Sequence, residues 1–387
     1  MKKENVNKIF QSIAYKYDLM NDLMSFGLHR KWKRKFVDLI DLNFKKKNII
    51  LDLGCGTGDI ISQINNKSKL NSNYLAYLVD PNIEMMKHGI KKLKKLAPNG
   101  AWKSFDLRSL QTNKAQDINQ IIIDKTNSLW IGTRRNGVYV YNETGDRKIA
   151  LTTVPTRGGL PHANVRTVAV DKNNRIWIGT QSGMVVYTNA SGVFDAAIYD
   201  AAPIIILDDG IPKKLLGDQT INTIAVDGAD NKWFGTDNGG VLYTNPSGQK
   251  TLASFNKDNS PLPSNTIIKI SVDISTGKVF FATDKGVVAY NSKVVPFGES
   301  LGDVYAYPNP ALKNHPTITI DGRNGTHLPK GTNIKILDVS GNLVYETNVV
   351  EGQETQGGKV VWDKRNLAGN KVASGIYIVL VSNEDTS

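Results

Sequence analysis

Four stretches of this 387-residue chain repeat one another: INQIIIDKTNSLWIGTRRNGVYVYN at 118–142, VRTVAVDKNNRIWIGTQSGMVVYTN at 165–189, INTIAVDGADNKWFGTDNGGVLYTN at 221–245 and IIKISVDISTGKVFFATDKGVVAYN at 267–291. Their aspartates, Asp124, Asp171, Asp227 and Asp273, stand 47, 56 and 46 residues apart. Each unit shows two β-rich runs and two turns, and one such unit cannot bury both of its faces alone. Units of this period stack around an axis as propeller blades, which predicts an all-β region of about four blades over residues 101–300. Trp130, Trp177 and Trp233 read as packing between blades, and the Asp-x-x-Asn/Gly stretches as hairpin turns.

The first hundred residues follow different rules. They hold 19 Lys+Arg against 9 Asp+Glu and only 6 of the 34 glycines, whereas the rest of the chain holds 29 against 27. The formal charge of +12 is therefore concentrated in one segment, and a shift in charge and glycine content at one place marks a domain boundary. Ile9, Ile13, Tyr17, Met20 and Met24, then Trp32, Phe36, Leu39 and Ile40, recur at helical spacing and predict amphipathic helices. A short apolar strand, Asn48–Leu53, then runs into Gly54-Cys55-Gly56-Thr57-Gly58-Asp59 and a helix. A second strand, Tyr74–Val79, ends at Asp80, and a lysine-rich helix reaches about Leu96. This is a β-α-β unit of the doubly wound α/β class.

Glycines at 54, 56 and 58 let the backbone approach a ligand closely, and the helix that follows presents free N–H groups to it. Asp80, at the end of the next strand, is placed to grip two ribose hydroxyls. A purely structural turn is the alternative reading of the glycines, which Asp80 at the strand end disfavours, and the G-x-G-x-G spacing departs from the usual dinucleotide pattern. Cys55, the lone cysteine, can form no internal disulfide, and no metal site is expected. No run approaches the ~18 to 20 apolar residues of a membrane helix, and the start MKKENVNKIFQSIAYKYD has no signal-peptide core, so the chain as written is expected in the cytoplasm.

Residues 301–387 form a third region. Tyr307-Pro308-Asn309-Pro310, the hairpin signal Ser340-Gly341-Asn342 and runs of alternating apolar residues predict a small antiparallel sandwich. His162, His315 and His327 lie in turn-rich contexts without partners at metal-ligand spacing and read as surface histidines.

Two resemblances carry the functional reading. Tyr17-Asp18-Leu19-Met20-Asn21, Ser25, His29 and Trp32, with DLGCGTGD at 52–59 and Val79-Asp80, resemble the signature of the menaquinone/ubiquinone C-methyltransferases (UbiE-type) over residues 1–96. That resemblance implies a class I methyltransferase-like fold for a domain at 1–100 and S-adenosyl-L-methionine as cofactor. Asp52, Gly54, Gly56, Thr57 and Gly58 would line its methionine end, and Asp80 would hold its ribose. It also implies methyl transfer to a ring carbon of a demethylquinol, which depends mainly on positioning; no catalytic residue is assigned, and His29 reads as a helix-surface or lid residue. The repeats resemble the two-component-regulator propellers, whose rings are typically larger than four blades, so an incomplete ring is expected, with residues 101–110 as the outer strand of an earlier blade. YPNP, DVSGNLV and ASGIY resemble the sorting-type domain of type IX secretion, and residues 101–387 together resemble the C-terminal part of PorZ-type surface proteins. That implies export, secretion components or lipopolysaccharide as partners, and no enzyme chemistry.

The two halves imply opposite compartments. The methyltransferase domain also reads as unfinished, since the family's later segments do not follow Leu96, and the sandwich reads as lacking its final strand. Three readings stand: a quinone-pathway methyltransferase with little or no activity, a secretion-associated binding protein with a foreign N-terminus, and a chimeric join near residues 96–102. The cluster Lys31, Lys33, Arg34, Lys35 and 45–47 suits either a solvated face or an anionic membrane surface. Nucleic acid is not expected as a partner, because no aromatics interleave with these cations to stack on bases.

Overall fold

The computed structural model describes residues 17–40, 48–53, 55–67, 74–79, 83–96, 117–208, 210–350 and 357–383. The chain divides into two compact units, Met1–Asp117 and Ile118–Ser387.

In the first unit, helices α1 (Tyr17–Ser25) and α2 (Leu28–Asp38) are separated by a break at Phe26 and Gly27, both in the left-handed region. Strand β1 (Asn48–Leu53), helix α3 (Asp59–Lys67), strand β2 (Tyr74–Val79) and helix α4 (Ile83–Leu96) follow. β1 and β2 are parallel, in register from Asn48 opposite Tyr74 to Leu53 opposite Val79. Parallel neighbours need a crossover, which α3 supplies. Val37, Cys55, Ile61, Ile64 and Leu78 form the core of this unit. The apolar stripe expected on α2 is not its buried side: Trp32, Phe36 and Leu39 are exposed, and His29, Lys33 and Val37 face inward. On the inward face Val37 enters the core and Lys33 pairs with Asp59 on α3, positions 29, 33 and 37 sharing one side of the helix.

The second unit is built of antiparallel sheets. Blade 1 holds β3 (Ile118–Ile123), β4 (Leu129–Thr133), β5 (Val138–Asn142) and β6 (Arg147–Leu151), and blade 2 holds β7 (Val165–Val170), β8 (Ile176–Thr180) and β9 (Met184–Tyr187). A hairpin of β10 (Ile205–Asp208) and β11 (Ile211–Lys214) precedes blade 3, which holds β12 (Ile221–Val226), β13 (Lys232–Thr236), β14 (Val241–Thr244) and β15 (Thr251–Phe255). Blade 4 holds β16 (Ile267–Asp273), β17 (Lys278–Thr283) and β18 (Gly286–Asn291). Each repeat is thus a sheet of three or four strands, one or two more than its pattern displays. The first strands of successive blades pack side by side, β3 on β7, β7 on β12 and β12 on β16, and among the described residues no comparable packing joins blade 4 to blade 1.

The repeated aspartates and tryptophans explain how the blades hold. Asp124 Oδ1 accepts the N–H groups of Thr126 and Ser128, closing the turn, and its Oδ2 accepts the Trp130 indole at 2.9 Å. Asp171 does the same with Asn173, Arg175 and Trp177. Each ring so fixed packs on the next blade: Trp130 on Tyr187 and Trp177 on Phe234. In blade 3, Asp227 gives its second oxygen to the Tyr243 hydroxyl instead, and Trp233 stacks on Tyr243 while reaching Phe281 of blade 4. The turns are also clasped to each other, since Lys125 N–H donates to Asn174 Oδ1 and Lys172 N–H to Asp230 Oδ1, each at 2.8 Å. Between blades 2 and 3 the fully buried Lys232 ammonium lies 3.3 Å from Asp171 and 3.1 Å from Asp230.

Glycine at the fourth position of the second strand in blades 1 to 3 sets the spacing between blades. A Cβ on Gly179 would stand 2.6 Å from Thr167 Cγ2 and 2.8 Å from Ile221 Cγ2, and Gly235 is crowded in the same way by Thr223 and Ile267. In blade 4 the equivalent residue of the second strand is Ala282.

The sandwich pairs β19 (Val304–Tyr307), β20 (Ile318–Gly322) and β23 (Val360–Trp362) in one sheet, and β22 (Leu343–Asn348), β21 (Asn333–Leu337) and β24 (Ile378–Ser382) in the other. Ile320, Leu328, Ile334, Ile336, Val360 and Trp362 fill the space between them. Phe297 and Leu301 pack on this core, and Gly298 N–H donates to Leu328 O, so the sandwich begins its packing a few residues before 301.

Candidate functional site

β1 delivers the chain to the glycine turn, and the turn leads into α3. Gly56 (φ +52°) and Gly58 (φ +73°) both adopt left-handed backbone, which other residues enter only at a cost. The Gly58 N–H donates to Cys55 O at 2.7 Å, and its carbonyl accepts the Ser62 N–H, starting the helix. α4 lies directly against the turn at Gly89, where a Cβ would come within 2.9 Å of the Thr57 backbone. A Cβ on Gly56 would meet Met85 Cε of the same helix at 3.4 Å.

Side chains from four helices lock this arrangement. Thr57 is buried, and its hydroxyl donates to Asp18 Oδ1 of α1 at 2.7 Å. Lys92 of α4 bridges Asp18 at 2.9 Å and Asp59 at the start of α3. Lys33 of α2 reaches Asp59 at 2.6 Å. Burial pushes the Asp59 carboxyl up, but the two lysines outweigh it and hold the group below its ordinary range. Burial likewise disfavours charged Lys92, and Asp59 and Asp18 reverse the sign, so its pKa is raised. A second cluster braces the break between α1 and α2. Arg30 Nε donates to Asp22 Oδ1 at 2.6 Å, and the Arg30 hydrogen bond lowers the Asp22 pKa. His29 Nδ1 lies 2.7 Å from Ser25 Oγ, and Nε2 lies 3.7 Å from Asp22. His29 is thus a packed residue of this cluster, more enclosed than a surface reading expects.

Of the residues expected to bind cofactor, Gly56, Thr57 and Gly58 form one turn, and Asp52 is half-buried one residue before the end of β1. Gly54 and Asp80 lie outside the described residues, as do residues 97–116 with the strand expected at 101–110. The motif in α1 supplies Asp18, which the resemblance flagged without a role. Lys33 and Lys92 were not separable by sequence from the surrounding lysines. Lys31, Arg34 and Lys35 are exposed beside Trp32 and Phe36, while 45–47 lie outside the described residues.

In the second unit, His162 Nδ1 accepts the Asn164 N–H and His315 Nδ1 accepts the Leu312 N–H, both within turns. His327 differs from expectation: its Nδ1 lies 3.0 Å from Asp321 Oδ1, a carboxylate six residues upstream, and both side chains are largely enclosed. Among the described residues no helix is long and apolar enough to cross a membrane.

Comparison with known proteins divides the chain in the same way. Ubiquinone/menaquinone biosynthesis C-methyltransferases of Rickettsia akari (48% identity over 89 residues) and Proteus mirabilis (42% over 93 residues) match 22% and 24% of this chain. These matches cover 34% and 36% of the relatives, so the chain spans about a third of their length. Among solved structures, PorZ, an essential surface component of the type-IX secretion system of Porphyromonas gingivalis, aligns with a TM-score of 0.42 and 23% identity, covering 74% of this chain and 46% of that one. The extracellular domain of the hybrid two-component system BT3049 from B. thetaiotaomicron aligns with a TM-score of 0.38 and 22% identity, covering 74% and 36%. The chain matches three family models in succession: the ubiE/COQ5 methyltransferase family at residues 1–119, the two component regulator propeller at 159–182 and the secretion system C-terminal sorting domain at 305–387.

Proposed function

We propose that the first unit is a binding site for S-adenosyl-L-methionine of the quinone C-methyltransferase type, carried on a chain whose second unit serves recognition at the cell surface. The observation that supports the first half is the turn at 55–58, with two left-handed glycines pinned between a parallel strand and a helix. Its donor set suits an amino-acid-bearing ligand. The Asp52 carboxylate would accept from an ammonium group, and the left-handed backbone at Gly56 and Gly58 shapes the turn that would receive it. Thr57 has its hydroxyl proton committed to Asp18, so it would act through its backbone. By the resemblance, Gly54 would extend the turn and Asp80 would hold the ribose. When bound, the cofactor supplies an electrophilic methyl group, which in the quinone pathway goes to a ring carbon of a demethylquinol.

The contribution of this chain to that chemistry is positioning. Lys92, Asp18, Asp59 and Lys33 hold the turn against α1, α2 and α4 in advance of binding, so little ordering entropy remains to oppose it. The match covers about a third of the relatives' length, and from Ile118 onward the chain builds blades. We therefore infer binding without measurable turnover. Calorimetric titration of the full chain with S-adenosyl-L-methionine is expected to show saturable binding that Gly56→Val weakens about tenfold or more, since a β-branched residue at positive φ must distort the turn. Methylation of a demethylmenaquinol analogue is expected to stay at the level of the Gly56→Val control. Absence of binding sinks the cofactor reading, and turnover above the control sinks the inactivity.

The second half of the proposal is a non-enzymatic surface role, with lipopolysaccharide or secretion components as partners and domains meeting near residues 100 and 300. The sorting-domain match at 305–387 supports it. Recovery of the intact chain from the cell surface by fractionation is its expected outcome, and recovery only from cytosol refutes it. Amplification of source DNA across codons 96–102 tests whether the two halves are joined in the genome. If the first unit meets a membrane, exposed Lys31, Arg34 and Lys35 beside Trp32 and Phe36 are the face that fits anionic lipid.

A further inference from the structure

The inner ends of the four blades surround a recess of about 670 Å³, within the range of small-molecule sites. Its lining includes three cations from three different blades, Arg134, Arg166 and Lys269, and a single carboxylate, Asp237. None of the three cations has a hydrogen bond or ion pair among the described residues. Asp237, by contrast, is engaged, accepting from Asn222 Nδ2 at 3.0 Å. We propose that this recess binds a small polyanion carrying two or more carboxylate or phosphate groups.

The repeat itself shows that two of these cations, Arg166 and Lys269, are departures from a structural pattern. The second residue of the first strand is Asn119 in blade 1 and Asn222 in blade 3, and both amides tie their blade to the next, donating to Val165 O at 2.7 Å and to Ile267 O at 2.9 Å. Blade 2 carries Arg166 at this position and has no such bond among the described residues. The third residue is Gln120, Thr167 and Thr223 in blades 1 to 3. Gln120 Oε1 accepts from Thr167 Oγ1, and the two threonine hydroxyls accept the N–H groups of Ile224 and Ile270. Blade 4 carries Lys269 there. Arg134 follows the Thr that ends the second strand, a position held by Gln181 in blade 2 and Asp237 in blade 3. At two positions where the repeat uses neutral groups to fasten blades together, Arg166 and Lys269 stand instead, and Arg134 adds a third charge from a position whose counterparts, Gln181 and Asp237, accept side-chain bonds within their own blades.

The walls are fixed before any ligand arrives. Asn164 Nδ2 donates to Gln181 Oε1 at 2.9 Å, and with the bonds of Asn119, Gln120 and Asn222 this leaves a rigid rim from which the three long side chains reach inward. Like charges converging on a concave polar surface raise the local potential and draw in anions. Guanidinium groups at two of the three positions suit the paired oxygens of carboxylate or phosphate.

The test titrates the full chain with citrate and, separately, with pyrophosphate at low ionic strength. Saturable binding of at least one probe is expected, with a dissociation constant below about 1 mM and weakening as salt is added. The tighter of the two identifies the preferred group. Arg166→Gln and Lys269→Gln are each expected to weaken binding about tenfold or more. Arg147→Gln, on blade 1 outside the recess, is expected to leave it unchanged. Because Arg166 and Lys269 fasten nothing, their variants are expected to keep the wild-type melting temperature, which separates lost binding from lost fold. Absence of saturable binding by both probes overturns the proposal, as does equal weakening by Arg147→Gln.

Discussion

Asp171→Ala is the substitution through which the blade architecture can be tested most sharply. One carboxylate there accepts the N–H groups of Asn173 and Arg175, the Arg175 guanidinium at 2.7 Å and the Trp177 indole at 2.9 Å, and it faces Lys232 at 3.3 Å. Burial pushes its pKa up, yet Lys232, Trp177 and the turn amides hold it below the ordinary carboxylate range. Truncation leaves the fully buried Trp177 N–H unpaired, at about 1–3 kcal/mol. It also leaves buried Lys232 with Asp230 as its one remaining carboxylate, where the lost attraction is about 5 kcal/mol gross at an effective dielectric of ~20. Part of that returns because Asp171 no longer has to be desolvated, so the net loss is about 4 kcal/mol, within the usual ~3–5 for breaking a buried pair. For a unit of this size the melting temperature should fall by roughly 8–16 °C. The matched control is Asp273→Ala, because Asp273 closes the equivalent turn of blade 4 through exposed Ser275 and Thr276 with Val279 in place of the tryptophan. Its effect is expected to be small beside that of Asp171→Ala. Thermal unfolding followed by near-ultraviolet circular dichroism distinguishes the two. Equal shifts for both variants, or a loss below about 1 kcal/mol for Asp171→Ala, would refute the reasoning that the Asp-Trp-Lys contact fastens blade 2 to blade 3.

Two further outcomes follow from the same geometry. Gly179→Ala forces a Cβ into Thr167 and Ile221 and should cost about 1–3 kcal/mol in denaturant unfolding, whereas Ala282→Gly at the equivalent place in blade 4 should cost about 1 kcal/mol or less, chiefly from chain entropy. In the first unit, the depressed Asp59 pKa means that its ion pairs stabilise the fold above about pH 4 and are lost as pH falls through the lower folded-state value. Lys92→Met should therefore reduce stability at pH 7 and move the acid unfolding midpoint of this unit upward, read by helical circular dichroism; an unchanged midpoint would show that Lys92 contributes nothing to the lock.

The fold was legible in sequence wherever period and turn chemistry agreed. β1, β2 and the four repeats fall where alternation, glycine and Asp-x-x-Asn placed them, because each of those signals is local. What sequence did not show is long-range. Nothing in HRKWKRK distinguishes Lys33 from Lys31, yet one closes on Asp59 across 26 residues and the other faces solvent. The same limit applies to α2, whose inward side carries Lys33 and the core residue Val37 and not Trp32, Phe36 and Leu39. The hairpin β10–β11 escaped notice because it belongs to no repeat, and the His327–Asp321 contact because a turn at Arg323–Gly325 folds the chain back onto the end of β20, which no spacing rule marks. The repeat glycines, present in plain view as Gly132, Gly179 and Gly235, acquire meaning only when the next blade's side chains are seen against them.

Net charge shows the same limit from the other direction. The first hundred residues hold most of the +12, and pairing Arg30, Lys33 and Lys92 with Asp22, Asp18 and Asp59 leaves that net excess unchanged while fixing which cations stay exposed, Lys31, Arg34 and Lys35 among them. The remaining residues are nearly neutral in sum, 29 basic against 27 acidic, yet the recess between the blades sets three cations against one engaged carboxylate. An excess of this size is invisible in an average over the whole unit, because acids and bases elsewhere cancel on surfaces farther apart than a Debye length of ~8 Å allows them to interact. A binding potential therefore has to be sought where charges converge and lack partners. By that criterion the nearly neutral part of the chain holds a stronger claim to an anionic ligand than its count suggests.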